Sequence, residues 1–163
     1  MFDKKKIKLN HIRASKQSNK KANNFFANLS YILIERANLN KKSSYKVLEV
    51  GARTNSLREQ LKKHHINSNL YQTTVSDKVL FNNKNKIVSN VDHQIFQKEI
   101  FDICFCVLSL NGSENLPLAF KSVFDVLKKN GKFLTVLPSE DCLKEFRDFF
   151  LDYFKVKKNK SFM

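Results

Sequence analysis

The sequence predicts an α/β protein: an open, doubly wound and mostly parallel sheet of about five strands, with helices on both faces. Three observations carry that expectation. Short apolar runs alternate with stretches of helical periodicity, and such alternation implies right-handed parallel crossovers. Residues 101–110 (FDICFCVLSL) are apolar almost throughout, as a central strand covered on both faces is. Residues 45–50 (YKVLEV) stop at Gly51 and lead into a helical pattern, the outline of a strand, a tight turn and a helix.

Residues 1–21 (MFDKKKIKLNHIRASKQSNKK) are polar and Lys-rich, which predicts a mobile or surface-lying arm with little core of its own. Phe25, Leu29, Ile32 and Leu33 recur at helical spacing, so 22–38 reads as an amphipathic helix. Behind the first strand, Leu57 and Leu61 share one helical face. Residues 69–75 (NLYQTTV), rich in β-branched and aromatic side chains, give a second strand, and 86–89 a weaker third. After the central strand, Leu116, Phe120, Val123, Phe124 and Leu127 mark a helix, and Asn130-Gly131 supplies a left-handed stop. Residues 132–137 (KFLTVL) form the fifth strand, and 139–154 a last amphipathic helix with Leu143, Phe146, Phe150 and Phe154 on one side. The expected organisation is a basic arm 1–21, a domain 22–154 and a basic tail 155–163.

The 163-residue chain carries 30 Lys+Arg against 15 Asp+Glu, a net charge of +15 that first suggests a phosphate-bearing partner. The distribution weakens that reading. Residues 1–45 hold 11 basic and 2 acidic residues (+9), 46–154 hold 15 and 13 (+2), and 155–163 hold 4 and 0 (+4). With 25 Lys, 5 Arg and 18 Asn, the bias looks like compositional drift, and nucleic-acid readers lean on Arg, whose planar fork pairs with phosphates and guanine edges. Nucleic acid is therefore an unfavoured partner. Three Cys with no leader-like start suggest a reducing, cytoplasmic setting, and no apolar run approaches the ~20 residues that span a bilayer.

In a doubly wound sheet the ligand crevice lies beyond the carboxyl ends of the strands. The segment there after the first strand is Glu49-Val50-Gly51-Ala52-Arg53-Thr54-Asn55, a loop that can turn backbone N–H groups toward a ligand. With its strand, YKVLEVGARTNSL resembles the first motif of class I S-adenosylmethionine-dependent methyltransferases, an acid-x-Gly-x-Gly-x-Gly loop. Residues 101–150 resemble one subfamily more closely. Its hallmarks are F-D before the strand, S-L before a loop, D/N-L-P at a helix start, V-L-K-x-x-G before the fifth strand and T/C-L-x-E-(F/L)-R after it, met here by N-L-P and C-L-K-E-F-R. That subfamily includes the methyltransferase-like assembly factor of respiratory complex I, an arginine hydroxylase, and the malonyl-acyl-carrier-protein methyltransferase of biotin synthesis. Met1-Phe2-Asp3-Lys4 and the basic stretch behind it resemble the assembly factor's opening and basic first helix.

The resemblance implies a Rossmann-like sheet of order 3-2-1-4-5, lacking the family's usual last two strands, and S-adenosyl-L-methionine or S-adenosyl-L-homocysteine as ligand. It implies cofactor contacts from Glu49, Gly51, Ala52, Arg53, Thr74, Asn90, Val91 and Leu108, and a substrate-side loop at Asn111 and Gly112 within 108–112. Several positions depart from the pattern. Arg53 and Asn55 replace the second and third glycines, Thr74 stands where an acid holds the ribose hydroxyls, and Asn90 faces the adenine where an acid is usual, with Asp92 two residues on. Asn111-Gly112 replaces His-Trp. The resemblance thus implies a methyltransferase-like protein with weakened or lost catalysis, acting on a protein or acyl-carrier substrate. The alternatives are a non-catalytic assembly or scaffold protein of the same fold, or a basic nucleic-acid-binding module.

The remaining candidates read blandly. Cys104 and Cys106 share one face of a buried strand with no ligand pair at zinc spacing, so no metal is expected. Cys142 has no neighbouring base, and His11 and His93 read as solvated. An uncovered fifth strand would be an exposed edge, open to a partner or a second copy.

Overall fold

The most apolar stretch of the chain lies inside the sheet. The computed structural model describes residues 4–16, 20–79, 84–93, 95–139, 141–142, 144–145 and 148–152. Its elements are α1 (Lys4–Lys16), α2 (Lys20–Ala37), β1 (Ser44–Glu49), α3 (Ser56–Lys63), β2 (Asn67–Thr74), β3 (Lys86–Val88), β4 (Phe101–Val107), α4 (Leu116–Val126) and β5 (Leu127–Val136). The sheet order is β3-β2-β1-β4-β5 and every pairing is parallel, as the sequence predicts.

Alternation along β4 builds the two cores. Ile103, Phe105 and Val107 face one way and pack with Val47 of β1, Leu57 and Leu61 of α3, and Leu33, Ile34 and Ala37 of α2. Cys104 and Cys106 face the other way, joined by Phe101 from before the register shift, against Leu48, Val50 and the α4 residues Ala119, Val123 and Val126. A sheet buried on both faces requires such a run, and the two cysteines are packing groups within it.

The Asp of the F-D hallmark is the one β4 residue that is not fully buried. Its carboxylate accepts the Lys46 backbone N–H at 2.7 Å and the Lys128 ammonium at 2.8 Å, so it ties β4 to the start of β1 and to β5. Burial works against its charge, yet these partners hold the Asp102 carboxyl below the usual range.

Residues 4–16 of the arm form the surface-lying alternative as a helix: α1 is mostly exposed and packs Ile12 against Ala52 and Val79, and Ser15 donates to the Lys78 carbonyl. Two elements differ from expectation. In α2 the buried stripe is Ser30, Leu33, Ile34 and Ala37, with Phe25 and Ile32 52% and 43% exposed. The buried face is the one that meets both the sheet and α3, and it lies to one side of the spacing read from Phe25. At α4, the helix stops at Val126, and Leu127 already pairs with Phe101. A register shift then intervenes before Ile103 meets Lys132. The left-handed residue is Asn130 (φ 67°), whereas a Cβ on Gly131 would stand 2.8 Å from the Lys128 carbonyl oxygen.

Of the expected last helix, residues 144–145 and 148–152 are helical and exposed, with Phe150 40% exposed rather than in the core. Leu143, Phe146, Phe154 and the tail 155–163 lie outside the described residues. No helix among the described residues is long and apolar enough to cross a membrane.

Candidate functional site

A crevice of about 390 Å³ opens at the carboxyl ends of β1 to β4 and is bounded by α1. Of the residues expected to hold a ligand, Gly51, Arg53, Asn90, Val91 and Gly112 line it. Glu49, Ala52, Thr74, Leu108 and Asn111 do not.

Gly51 shows how tightly the loop is held. It is left-handed (φ 68°), its N–H donates to Thr73 Oγ1 at 2.9 Å, and its carbonyl accepts the Ser109 hydroxyl. A Cβ there would stand 2.5 Å from Ser109 Cβ and 2.8 Å from Val91 Cγ1. Glycine is therefore required both by backbone conformation and by the approach of the β4 loop.

Glu49 sits beneath this loop. It is buried and accepts from Gln72 Nε2 at 2.7 Å. Burial pushes its carboxyl up to about 7, against the opposing pull of the Gln72 bond and the Arg58 charge. Ala52 is likewise structural, bonded to the Thr73 carbonyl at 2.7 Å.

Arg53 turns across the crevice and not out to solvent. Its Nη2 donates at 2.9 Å to the carbonyl of Leu108, a residue held at φ 55°. Burial pulls the guanidinium below its ordinary value. The sequence reading had His11 solvated; it is instead partly buried on the crevice wall, where burial and the Arg53 charge bring it down to about 4. At neutral pH it is an uncharged imidazole beside a cation. His11 Nδ1 and Arg53 Nε are buried with no hydrogen-bond partner among the described residues.

The second-strand position falls differently from expectation. Thr74 is fully buried and its hydroxyl has no partner among the described residues, while the next residue, Val75, supplies the wall. Asn90 lines the crevice, but its Oδ1 already accepts the Asp92 N–H at 3.3 Å. Asp92 is buried and accepts the Ser113 hydroxyl, tying this loop to the approach to α4. Asn111-Gly112 closes a 3-10 turn (Leu110–Gly112) in place of a plain two-residue turn, with open space beside Gly112 and Asn111 exposed.

Ile7, Lys8 and His11 from α1, together with Val88, Ser89 and Ser109, complete the wall. The α1 contribution had a faint signal: Ile7, Lys8, His11 and Ile12 recur at i, i+1, i+4 and i+5, one helical stripe in an otherwise polar arm. The result is a largely apolar cleft that also carries the cations Lys8 and Arg53 and the acid Glu114, suited to a ligand with a flat apolar group and charged substituents.

A model of the methyltransferase domain matches residues 48–135, just over half of the chain. The chain belongs to that family. A protein of Rickettsia prowazekii (strain Madrid E) that carries a methyltransferase name is 27% identical over 113 residues, covering 68% of this chain and 50% of that protein. Among solved structures, a Bacillus halodurans C-125 protein named as a methyltransferase superposes with a TM-score of 0.60 at 17% identity, covering 74% of this chain and 56% of that one. An N-methyltransferase 2 of Haemonchus contortus, solved with phosphomonomethylethanolamine and S-adenosylhomocysteine, superposes at 0.59 and 17% identity, covering 73% and 31%. The chain thus spans about half the length of the relatives it matches. The matched segment runs from within β1 to within β5 and so includes every sheet-end loop around the methyltransferase-family crevice.

Proposed function

We propose that the protein is an S-adenosylmethionine-dependent methyltransferase-like protein that takes S-adenosylmethionine or S-adenosylhomocysteine in the crevice at the strand ends. The observation that carries this reading is the crevice itself: it lies where the fold places ligands, and two buried polar atoms on its wall, His11 Nδ1 and Arg53 Nε, await partners. The residues fit the group. Arg53 would meet the carboxylate, Val75, Val88 and Val91 would flank the adenine, and Asn90 and Ser89 would offer polar contacts at its edge. When bound, S-adenosylmethionine supplies an electrophilic methyl group; the chain's part is to orient the acceptor in line and exclude water, which demands no acid–base pair.

The departures from the family pattern support weakened binding. No carboxylate replaces the ribose-binding acid at Thr74, and the Asn90 amide oxygen is shared with the Asp92 N–H. Each missing hydrogen bond costs about 1–3 kcal/mol. Affinity in the range of tens to hundreds of micromolar is the expectation, with catalysis reduced or lost.

Within the family, the F-D, N-L-P and V-L-K-x-x-G hallmarks and the basic first helix support a place beside the complex I assembly factor. A protein or acyl-carrier acceptor is the corresponding substrate class. The free, buried thiols of Cys104 and Cys106 accord with a reducing, cytoplasmic setting. Calorimetric titration with S-adenosylhomocysteine tests the reading: saturable binding at or below a few hundred micromolar, weakened by Arg53→Ala, is expected. No heat and no thermal shift at millimolar ligand would overturn it.

A further inference from the structure

The helix α1 lies outside residues 48–135, the segment that matches the methyltransferase domain, yet it forms one side of the crevice. Ile7 and His11, at i and i+4, stand with Lys8 on the wall. The helix is seated by Ile12 against Ala52 and Val79. Ile12 follows His11 in sequence and Ala52 precedes Arg53, so this contact sets the imidazole beside the guanidinium. Burial and then the Arg53 charge hold His11 down at about 4, which keeps it uncharged at neutral pH.

The pair is incomplete on both sides. Arg53 Nη2 donates to a neutral partner, the Leu108 carbonyl, and no carboxylate pairs with the guanidinium among the described residues. It is a cation partly withdrawn from water without a counter-charge. Arg53 Nε and His11 Nδ1 are both buried with no hydrogen-bond partner among the described residues. A guanidinium N–H only donates, whereas an imidazole nitrogen donates or accepts according to its tautomer. One group that meets both atoms and balances the charge is an anion with two acceptor oxygens, and in S-adenosylhomocysteine the only such group is the carboxylate. Lys8 and Glu114, the other charged residues on the wall, are exposed, so the sheltered polar position belongs to His11 and Arg53. We infer that His11 is a ligand-binding residue delivered by α1, which grips the ligand carboxylate together with Arg53 and so selects ligands that carry one at that end. The inference rests on the crevice taking S-adenosylmethionine or S-adenosylhomocysteine, as proposed above.

S-adenosylhomocysteine and 5′-methylthioadenosine share the nucleoside and the thioether, and the second has no carboxylate. Calorimetric titration of the full chain with each is the test. The parent is expected to bind S-adenosylhomocysteine at least about tenfold more tightly than 5′-methylthioadenosine. His11→Ala and Arg53→Ala each weaken S-adenosylhomocysteine by about tenfold, the loss of one charge-assisted hydrogen bond, and leave 5′-methylthioadenosine within about twofold. The double variant loses less than the two single losses combined, because both residues hold one group. His11→Asn, whose amide nitrogen stands near the position of Nδ1, recovers part of the loss. The inference is overturned if His11→Ala binds S-adenosylhomocysteine like the parent, or if it weakens both ligands equally, which assigns His11 to seating α1. A parent that binds both ligands equally overturns the carboxylate grip and leaves the reading of the crevice standing. A parent that binds neither overturns both.

Discussion

The two ends of the sheet put their polar residues to different uses. At the amino end Asp102 is wholly structural, stitching β1, β4 and β5 through the Lys46 N–H and Lys128. At the carboxyl end the frame is kept by Gly51, Ser109 and Glu49, while Arg53, Val75 and Asn90 form the crevice wall. Asp102, Gly51, Ser109 and Glu49 answer to the fold, whereas Arg53 and Asn90 stand on the crevice wall and also bond the Leu108 carbonyl and the Asp92 N–H.

Gly51→Ala tests the carboxyl end most severely. A Cβ there combines left-handed strain with overlap on Ser109 and Val91, and a loss of about 2–4 kcal/mol in urea unfolding is expected. An unchanged midpoint would mean that the loop can move, and that the glycine answers to a ligand instead.

The acids Glu49 and Asp102 at the two ends carry opposite signs of pH dependence. Glu49 has its carboxyl raised from 4.5 to about 7, so the folded state binds the proton more tightly than the unfolded one. Its contribution is fully present below about pH 4.5 and is lost as pH rises through 7, a decline of about 1–3 kcal/mol. Glu49→Gln keeps the acceptor for Gln72 and should flatten this limb, leaving the variant more stable than the parent at pH 8. Asp102 is lowered, so its contribution is present above the unfolded value and fades as pH falls through the folded one. Asp102→Ala should cost about 1–2 kcal/mol at neutral pH, through the unmet Lys46 N–H, and leave ligand affinity unchanged. Urea midpoints of the three proteins from about pH 2 to about pH 9 measure both effects, the Asp102 limb lying below its ordinary value of 3.8.

The sheet was legible because its signal is redundant. The run 101–110, the YKVLEV strand and the helical repeats each specify one element, and the order follows from parallel crossovers. The α2 face was misjudged because Phe25 and Ile32 carry the same hydrophobic signal as Leu33 and Ile34, and only packing on α3 and the sheet decides which is buried. The crevice was half legible. Gly51, Arg53, Asn90 and Val91 follow from strand ends and family spacing. His11 and Ile7 come from a distant, polar segment whose docking onto Ala52 and Val79 leaves no periodic trace strong enough to read. Thr74 was placed by alignment with an acid, yet it is Val75 that reaches the wall.

A backbone amide spectrum of the labelled protein titrated with S-adenosylhomocysteine tests the central claim most directly. Saturable shifts at Gly51, Arg53, Val75, Asn90, Val91 and Ser109, with α1 residues Lys8 and His11 moving in step and the β5 amides still, are the predicted result. Shifts absent at millimolar ligand, or confined to residues away from the strand ends, would contradict it.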